Sequence, residues 1–363
     1  MRSMMRIIDA NANRAREALR VLEDYARFIL DDGVLSARLK RLRHGLASQL
    51  KGMSSGRLGA RDAAGDVGRR PVVKSEYRRA GAADVVEANA ARLTEALRSL
   101  EEYSKTTSPA RARRFENMRF EAYEAAQLLD VAGRRRSKME RLRIYAILSS
   151  ELIAGPIERR AEALLAAGVD AIQLREKLMD DGPYIRLAAR LTRLARRFGG
   201  LFFVNDRVHV CEIVDADGVH LGQDDTSVAD ARKLLAPTRL VGLSTHGPSQ
   251  VRKAIAVAPD YISAGPVFAT PLKPDRKAVG TRLVEQAVRM SKIPVVAIGG
   301  VTAENAAEVF AAGAHAVALS RAMCRAEDVK GLVRSLRKAA KKSTCSLVSV
   351  GKGAVYLQGH KYL

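Results

Sequence analysis

The sequence predicts an α/β chain: a (β/α)8 or TIM barrel preceded by a smaller all-α helical domain. Three observations carry this. At 363 residues the chain exceeds the usual single-domain size, so a barrel plus a smaller partner is favoured over one domain. The periodicity changes around the basic run Gly133 to Lys138, from helical spacing before it to short β-rich runs after it. Those runs number eight within about 200 residues, each followed by polar residues and an amphipathic stretch, which fits a closed parallel barrel better than an open doubly wound sheet.

Residues 1–132 read as the helical domain, and they contain an internal repeat. The pattern Asn11, Arg14, Glu17, Ala18, Leu19, Arg20, Leu22, Glu23, Tyr25 returns as Asn89, Arg92, Glu95, Ala96, Leu97, Arg98, Leu100, Glu101, Tyr103, 78 residues on. Ala15, Leu19, Leu22 and Ala26, like Leu93, Leu97, Leu100 and Ser104, stand three and four apart and form one buried stripe per helix, as in a pseudo-symmetric bundle. The repeated Arg and Glu residues alternate in sign three apart, and the plainest reading is pairing along the exposed helix face. A polar groove or subunit contact is the alternative. Ser54 to Lys74, rich in Gly, Arg and Asp, reads as a loop.

Residues 133–141 read as a basic linker and 142–340 as the barrel, with 341–363 a tail without a clear helical face. The strands are expected at Ile144 to Leu148, Ala171 to Leu174, Leu201 to Val204, Val219 to Leu221, Leu240 to Leu243, Tyr261 to Val267, Val295 to Ile298 and Ala316 to Leu319. Helical stretches fall between them, at Glu158 to Ala167, Tyr184 to Phe198, Ser249 to Ala258 and Ala303 to Ala312.

Composition narrows the class. The longest apolar stretches are short and broken by Arg or Glu, and no basic-then-apolar leader is evident, which argues against a membrane and for a cytoplasmic protein. Cys211, Cys324 and Cys345 are scattered and odd in number, so neither a disulfide framework nor a zinc site is indicated. A formal charge of +22 raises the question of nucleic acid, but Arg is spread through nearly every helical segment without an aromatic ladder. Incidental basicity, or attraction of small phosphorylated substrates, is a better account of the charge than a nucleic-acid partner. A homo-oligomer is compatible with the sequence.

Polar residues gather where the expected strands end, which in a barrel is one rim. Strand two ends in Gln173-Leu174-Arg175-Glu176-Lys177, strand three in Asn205-Asp206-Arg207, and strand four in His220-Leu-Gly-Gln223-Asp224-Asp225. Strand five ends in Ser244-Thr-His246, and strand six in Gly265 to Thr270-Pro271-Leu272-Lys273. Strands seven and eight end in Gly299-Gly300 and Ser320-Arg321. As types these describe phosphate and metal chemistry. Arg175, Lys177 and Lys273 are cations suited to a diphosphate, and Asp206 and Asp225 are hard oxygen ligands on adjacent strands, the kind of set that Mg²⁺ shares with substrate phosphate and water. The glycines after strand seven and the helix start after strand eight suit a phosphate monoester. His220 and His246 more commonly pack than catalyse, Asp224 reads as a loop or cap residue, and Glu176 beside Arg175 could be a structural ion pair.

The motifs Gln-Leu-Arg-Glu-Lys, Val-Asn-Asp-Arg, Gly-Val-His-Leu-Gly-Gln-Asp-Asp, Gly-Leu-Ser-Thr-His, Gly-Pro-Val-Phe-Ala-Thr and Ala-Ile-Gly-Gly-Val stand in the order seen in thiamine-phosphate synthases, and the resemblance spans about Ile144 to Met323. The N-terminal repeat region is similar to a helical extension fused to some bacterial members. The resemblance implies that Gln173, Leu174, Arg175, Glu176, Lys177, Asn205, Ser244 and Lys273 hold a pyrimidine diphosphate, that Asp206 and Asp225 bind Mg²⁺, and that Thr270, Pro271, Leu272, Gly300, Ser320 and Arg321 hold a thiazole phosphate. It further implies that Lys177, Lys273 and Arg175 stabilise the departing pyrophosphate. Members usually carry a second Thr where Leu272 stands, and a small apolar residue followed by Ser where this chain has Ser320-Arg321. The first change removes a hydroxyl donor and the second adds a cation that can grip phosphate bidentately. Two other readings compete: a thiazole tautomerase of similar fold, which needs a proton-transfer histidine but not the paired carboxylates, and a non-catalytic regulator binding a phosphate ligand or nucleic acid.

Overall fold

A computed structural model describes residues 2–51, 78–270 and 277–351. The chain divides into two compact units, Met1–Arg136 and Ser137–Leu363. Ser54 to Lys74, expected as a loop, lies outside the described residues.

The first unit contains helices α1 (Arg2–Asp24), α2 (Gly33–Lys51), α3 (Ala82–Lys105) and α4 (Pro109–Arg141). The two repeats occupy α1 and α3, which pack against each other. Their stripes are the core: Ala15, Leu19, Leu22 and Ala26 are buried, as are Leu93, Leu97, Leu100 and Ser104. Spacing of three and four puts these side chains on one face, and each fully buried leucine contributes about 1.5–3 kcal/mol.

In part the repeated charges pair along their helix as the sequence expects, Arg98 meeting Glu101 at 2.9 Å and the neighbouring Glu102 at 2.7 Å. Glu23 and Glu101, however, are buried and reach across to the next helix of their own half, Glu23 to Arg43 Nε at 2.7 Å and Glu101 to Arg119 Nε at 3.0 Å. Repeat symmetry therefore extends to a buried ion pair in each half.

The basic run expected as a linker at 133–141 is helical and lies within α4. It holds no proline, and Arg, Lys, Met and Glu are good helix formers that outweigh a single glycine. The tail expected from 341 onward likewise begins as helix, because the last helix runs Val329–Gly351.

In the second unit eight parallel strands close in sequence order, β1 pairing with β2 and so on round to β8 against β1. They are β1 (Ile144–Leu148), β2 (Ala171–Leu174), β3 (Leu201–Asn205), β4 (Gly218–Leu221), β5 (Leu240–Thr245), β6 (Tyr261–Ala264), β7 (Val295–Ile298) and β8 (Ala316–Leu319). The helices between them are α5 (Ile157–Ala166), α6 (Asp181–Arg197), α7 (Val208–Ile213), α8 (Val228–Leu234), α9 (Pro248–Val257), α10 (Gly280–Met290), α11 (Ala306–Ala311), α12 (Arg321–Arg325) and α13 (Val329–Gly351). Strand six is shorter than its apolar run suggests, since proline at 266 cannot donate to a ladder.

The period of two sorts each strand's side chains. On β1, Ile144, Ala146 and Leu148 face the helices while Tyr145 and Ile147 fill the barrel. Three aromatic rings form the interior, with Tyr145 and Tyr261 centroids 5.1 and 5.7 Å from that of Phe203. They floor the barrel so that only its C-terminal rim is left to form a site.

Candidate active site

Three side chains of the strand-two motif face a common cavity: Gln173, Arg175 and Lys177. The side chains of Leu174 and Glu176 do not line it. Alternation turns Leu174 into the helix-facing core, where its carbonyl accepts from Tyr184 Oη at 2.7 Å. The Glu176 carboxylate accepts from the backbone N–H of Ser150 rather than serving ligand or Arg175. The loop carrying Arg175 and Lys177 is strapped by Arg207, a residue given no role by sequence reasoning. Its guanidinium donates to the carbonyls of Glu176 and Met179, pairs with Asp181 at 2.7 Å, and lies 4.3 Å above the Tyr184 ring. The only sequence signal was its place next to Asn205-Asp206.

Asn205 and Asp206 end β3 and also line the cavity. Asp206 has φ 62°, a left-handed conformation that costs about 1–2 kcal/mol for a residue with a Cβ. Its N–H donates to His220 O at 2.9 Å, which holds the turn. Asp225 arrives from the loop after β4, where its Oδ2 accepts from Gly222 N–H at 2.6 Å. The two carboxyl groups come within hydrogen-bonding contact of each other, and burial together with the Asp225 charge pushes Asp206 up to about 6, partly offset by Lys177. Among the described residues no cluster of three or more His, Cys, Asp or Glu could hold a metal, and the carboxylates lining the cavity are Asp206, Asp224 and Asp225. That composition fits Mg²⁺, which keeps waters and substrate oxygens in most of its octahedron, better than zinc or calcium.

Across the same cavity stand Thr270, Gly300, Ser320 and Arg321. Pro271, Leu272 and Lys273 lie outside the described residues. Gly300 has φ 66°, and a Cβ there would meet Phe268 Cβ at 2.6 Å and Ala269 O at 2.7 Å, so the close approach of two loops requires glycine. Asn305 ties this turn together, accepting from Thr302 N–H at 2.8 Å and donating to Gly300 O at 2.9 Å. The helix after β8, expected to offer its N-terminus to a phosphate, is only the five-residue α12. A single turn has little dipole, so charge on this side comes from the Arg321 and Arg325 side chains, both of which line the cavity.

Ser244 completes the wall beside Gln173, and both join a hydrogen-bonded set that includes His220. His246 also faces the cavity, with Nδ1 2.6 Å from Gly265 O. The whole is one cavity of about 770 Å³, a size that suits one large or two small ligands.

A family profile described as thiamine monophosphate synthase matches residues 144–323, and one described as the ThiD2 family matches residues 6–128. The thiamine-phosphate synthase of Nostoc punctiforme is 41% identical over 324 residues, covering 89% of this chain and 90% of the relative. That of Rhodopirellula baltica is 36% identical over 347 residues, covering 93% and 92%. Among solved structures, a thiamine phosphate pyrophosphorylase from Pyrococcus furiosus superposes with a TM-score of 0.53 at 35% identity, covering 56% of this chain and 98% of that one. On this similarity, which runs through both units, the chain belongs to the thiamine-phosphate synthase family.

Proposed function

We propose that this chain condenses 4-amino-2-methyl-5-(diphosphooxymethyl)pyrimidine with a thiazole phosphate, giving thiamine phosphate and pyrophosphate in a Mg²⁺-dependent reaction. The single observation that carries the reading is the contact of Asp206 with Asp225 in a cavity also lined by Arg175 and Lys177. Such a set neutralises a diphosphate, and a thiazole tautomerase needs none of it.

In this reading the bond between the pyrimidine methylene and the diphosphate oxygen breaks, and the thiazole nitrogen lone pair forms the new C–N bond. The electron pair of the broken bond leaves with pyrophosphate. Asp206 and Asp225 would hold Mg²⁺, which would supply charge neutralisation to the leaving group. Arg175 and Lys177 stabilise the same developing charge by pre-set electrostatics, and Lys273, which lies outside the described residues, is proposed for the same role. Gln173, Asn205 and Ser244 orient the pyrimidine, while Thr270, Gly300, Ser320 and Arg321 hold the thiazole phosphate. Keeping the two rings in contact is worth about 7–11 kcal/mol of barrier. Arg321 replaces a hydroxyl donor with a charge, and Leu272 contributes no donor on that side.

No helix among the described residues is long and apolar enough to cross a membrane. A reducing, cytoplasmic setting belongs to this reading and is supported by the free thiols of Cys211 and Cys324.

The test is pyrophosphate release by the full chain with both substrates and Mg²⁺. Lys177→Ala is expected to cut turnover roughly 100-fold or more, as loss of one charge-stabilising group does elsewhere. Turnover near the starting rate in that variant, or release unaffected by a chelator, would contradict the assignment.

A further inference from the structure

A hydrogen-bonded chain joins Gln173 to Ser244 through Tyr145, Tyr261 and His220, three side chains that have no part in the reaction described above, and of these His220 also lines the cavity. Gln173 Nε2 lies 2.7 Å from Tyr145 Oη, and Tyr145 Oη lies 3.2 Å from Tyr261 Oη. Tyr261 Oη lies 3.0 Å from His220 Nδ1, and His220 Nε2 lies 2.9 Å from Ser244 Oγ. The links come from β2, β1, β6, β4 and β5, and Gln173, Tyr145, Tyr261 and His220 are all buried. Both ends open on the cavity.

The arrangement is sterically built in. The Tyr261 ring stacks on His220 with centroids 5.5 Å apart and planes 19° from parallel. It occupies space that exists because position 242 is glycine, where a Cβ would lie 2.1 Å from Tyr261 Cζ.

Burial pushes both phenols well above their ordinary range, so each keeps its hydrogen. Each phenol then has one hydrogen to give, and a neutral imidazole has one donor and one acceptor nitrogen. With the imidazole neutral, two wirings along this chain give every internal hydrogen an acceptor. In the first, the Gln173 amide donates to Tyr145, Tyr145 to Tyr261, Tyr261 to His220 Nδ1, and His220 Nε2–H to Ser244. The Gln173 carbonyl oxygen and the Ser244 hydroxyl hydrogen are then left for the cavity, one acceptor and one donor. The second wiring requires the Gln173 amide to turn over so that its oxygen accepts from Tyr145; every other bond then reverses, and a Gln173 donor and a Ser244 acceptor face the cavity. Mixed states strand a buried donor or acceptor, which costs about 1–3 kcal/mol.

We propose that this relay fixes the donor and acceptor polarity of the pyrimidine pocket, with His220, Tyr261 and Tyr145 as positioning residues that select an amino group beside a bare ring nitrogen over an oxo group beside a ring N–H. The proposal rests on the pyrimidine diphosphate being the ligand beside Gln173 and Ser244. In the first wiring the amino group donates to Gln173 and the ring nitrogen accepts from Ser244. An oxo analogue forces reversal of all the internal bonds at once, so the discrimination is collective rather than the property of one contact.

The experiment measures binding of the 4-amino and 4-oxo pyrimidine diphosphates to the full chain by calorimetry, without thiazole phosphate, alongside pyrophosphate release with it. The unaltered chain is expected to prefer the amino compound by roughly 100-fold or more, as sites with fixed hydrogen-bond polarity do. Tyr145→Phe and Tyr261→Phe, which keep the rings but interrupt the relay, are each expected to reduce that preference about tenfold, through binding rather than kcat. The double variant is expected to lose no more than either single, since a broken relay cannot be broken twice. Undiminished preference in both single variants, no preference in the unaltered chain, or losses that multiply in the double variant would each overturn the relay. Tight, amino-selective binding without pyrophosphate release would instead uphold the relay and reject the proposed reaction.

Discussion

Asp206 combines three features that only make sense together: a left-handed backbone, contact with a second carboxylate, and a carboxyl raised from its ordinary 3.8 to about 6. Its folded state binds a proton more tightly than its unfolded state, so between about pH 4 and 6 the folded state holds more protons. Stability of the cation-free protein therefore falls as pH rises through that window. Asp206→Asn should remove this slope. At pH 8 in a chelator the variant should be more stable by on the order of 1 kcal/mol, a figure discounted for partial solvent screening. The same variant should lose most of its pyrophosphate release. Thermal melts across pH check the first claim, and a destabilised variant at pH 8 would contradict it.

At the scale of elements, the segments decide which groups of a motif reach the cavity. The loop after β2 offers Arg175 and Lys177 because Arg207, on the turn between β3 and α7, grips its backbone carbonyls. Arg207→Met keeps the apolar stem over Tyr184 but releases the loop. It should lower kcat/KM for the pyrimidine diphosphate about 10- to 100-fold while leaving unfolding nearly unchanged, since misplacement of charged groups costs far more in rate than in stability. Steady-state kinetics beside a melt separates the two. In the helical unit, Glu101→Ala removes one partner of Arg119, whose side chain is only 12% exposed and which keeps its hydrogen bond with Tyr123, and should cost about 1–3 kcal/mol. Glu17→Ala, at an exposed position of the first repeat, should stay within about 0.5 kcal/mol. Denaturant unfolding distinguishes them. The repeat was plain in the sequence, but the direction in which each charged residue points was not. Spacing of three defines a helix face, and which part of that face a neighbouring helix covers is settled by packing alone.

Over the whole molecule, the chain carries a net charge of +22 and, in this reading, takes up two phosphorylated ligands. Attraction through that field should fade with salt, since the Debye length shortens from about 10 Å at 0.1 M to about 3 Å at 1 M. KM for both substrates is therefore expected to rise severalfold over that range with kcat less affected. Salt-insensitive KM values would remove charge steering from the account.

The order of strands and the rim on which the polar residues meet were legible in the sequence, because runs such as Ile144 to Leu148 and Val295 to Ile298 are short, β-rich and followed by their own polar cluster. A parallel barrel places every strand end on one side, so ordered motifs imply a shared site before any distance is known. What tertiary structure alone decided was orientation and second contacts. Glu176 sits in the strongest motif yet turns to the Ser150 backbone, and Tyr145 and Tyr261, ordinary core residues by pattern, join Gln173 to His220. Hydrophobic periodicity is a local property of the chain. The hydrogen-bond partner of a buried polar group is whatever closure of the barrel brings within 3 Å, and residues 116 apart in sequence carry no local sign of it.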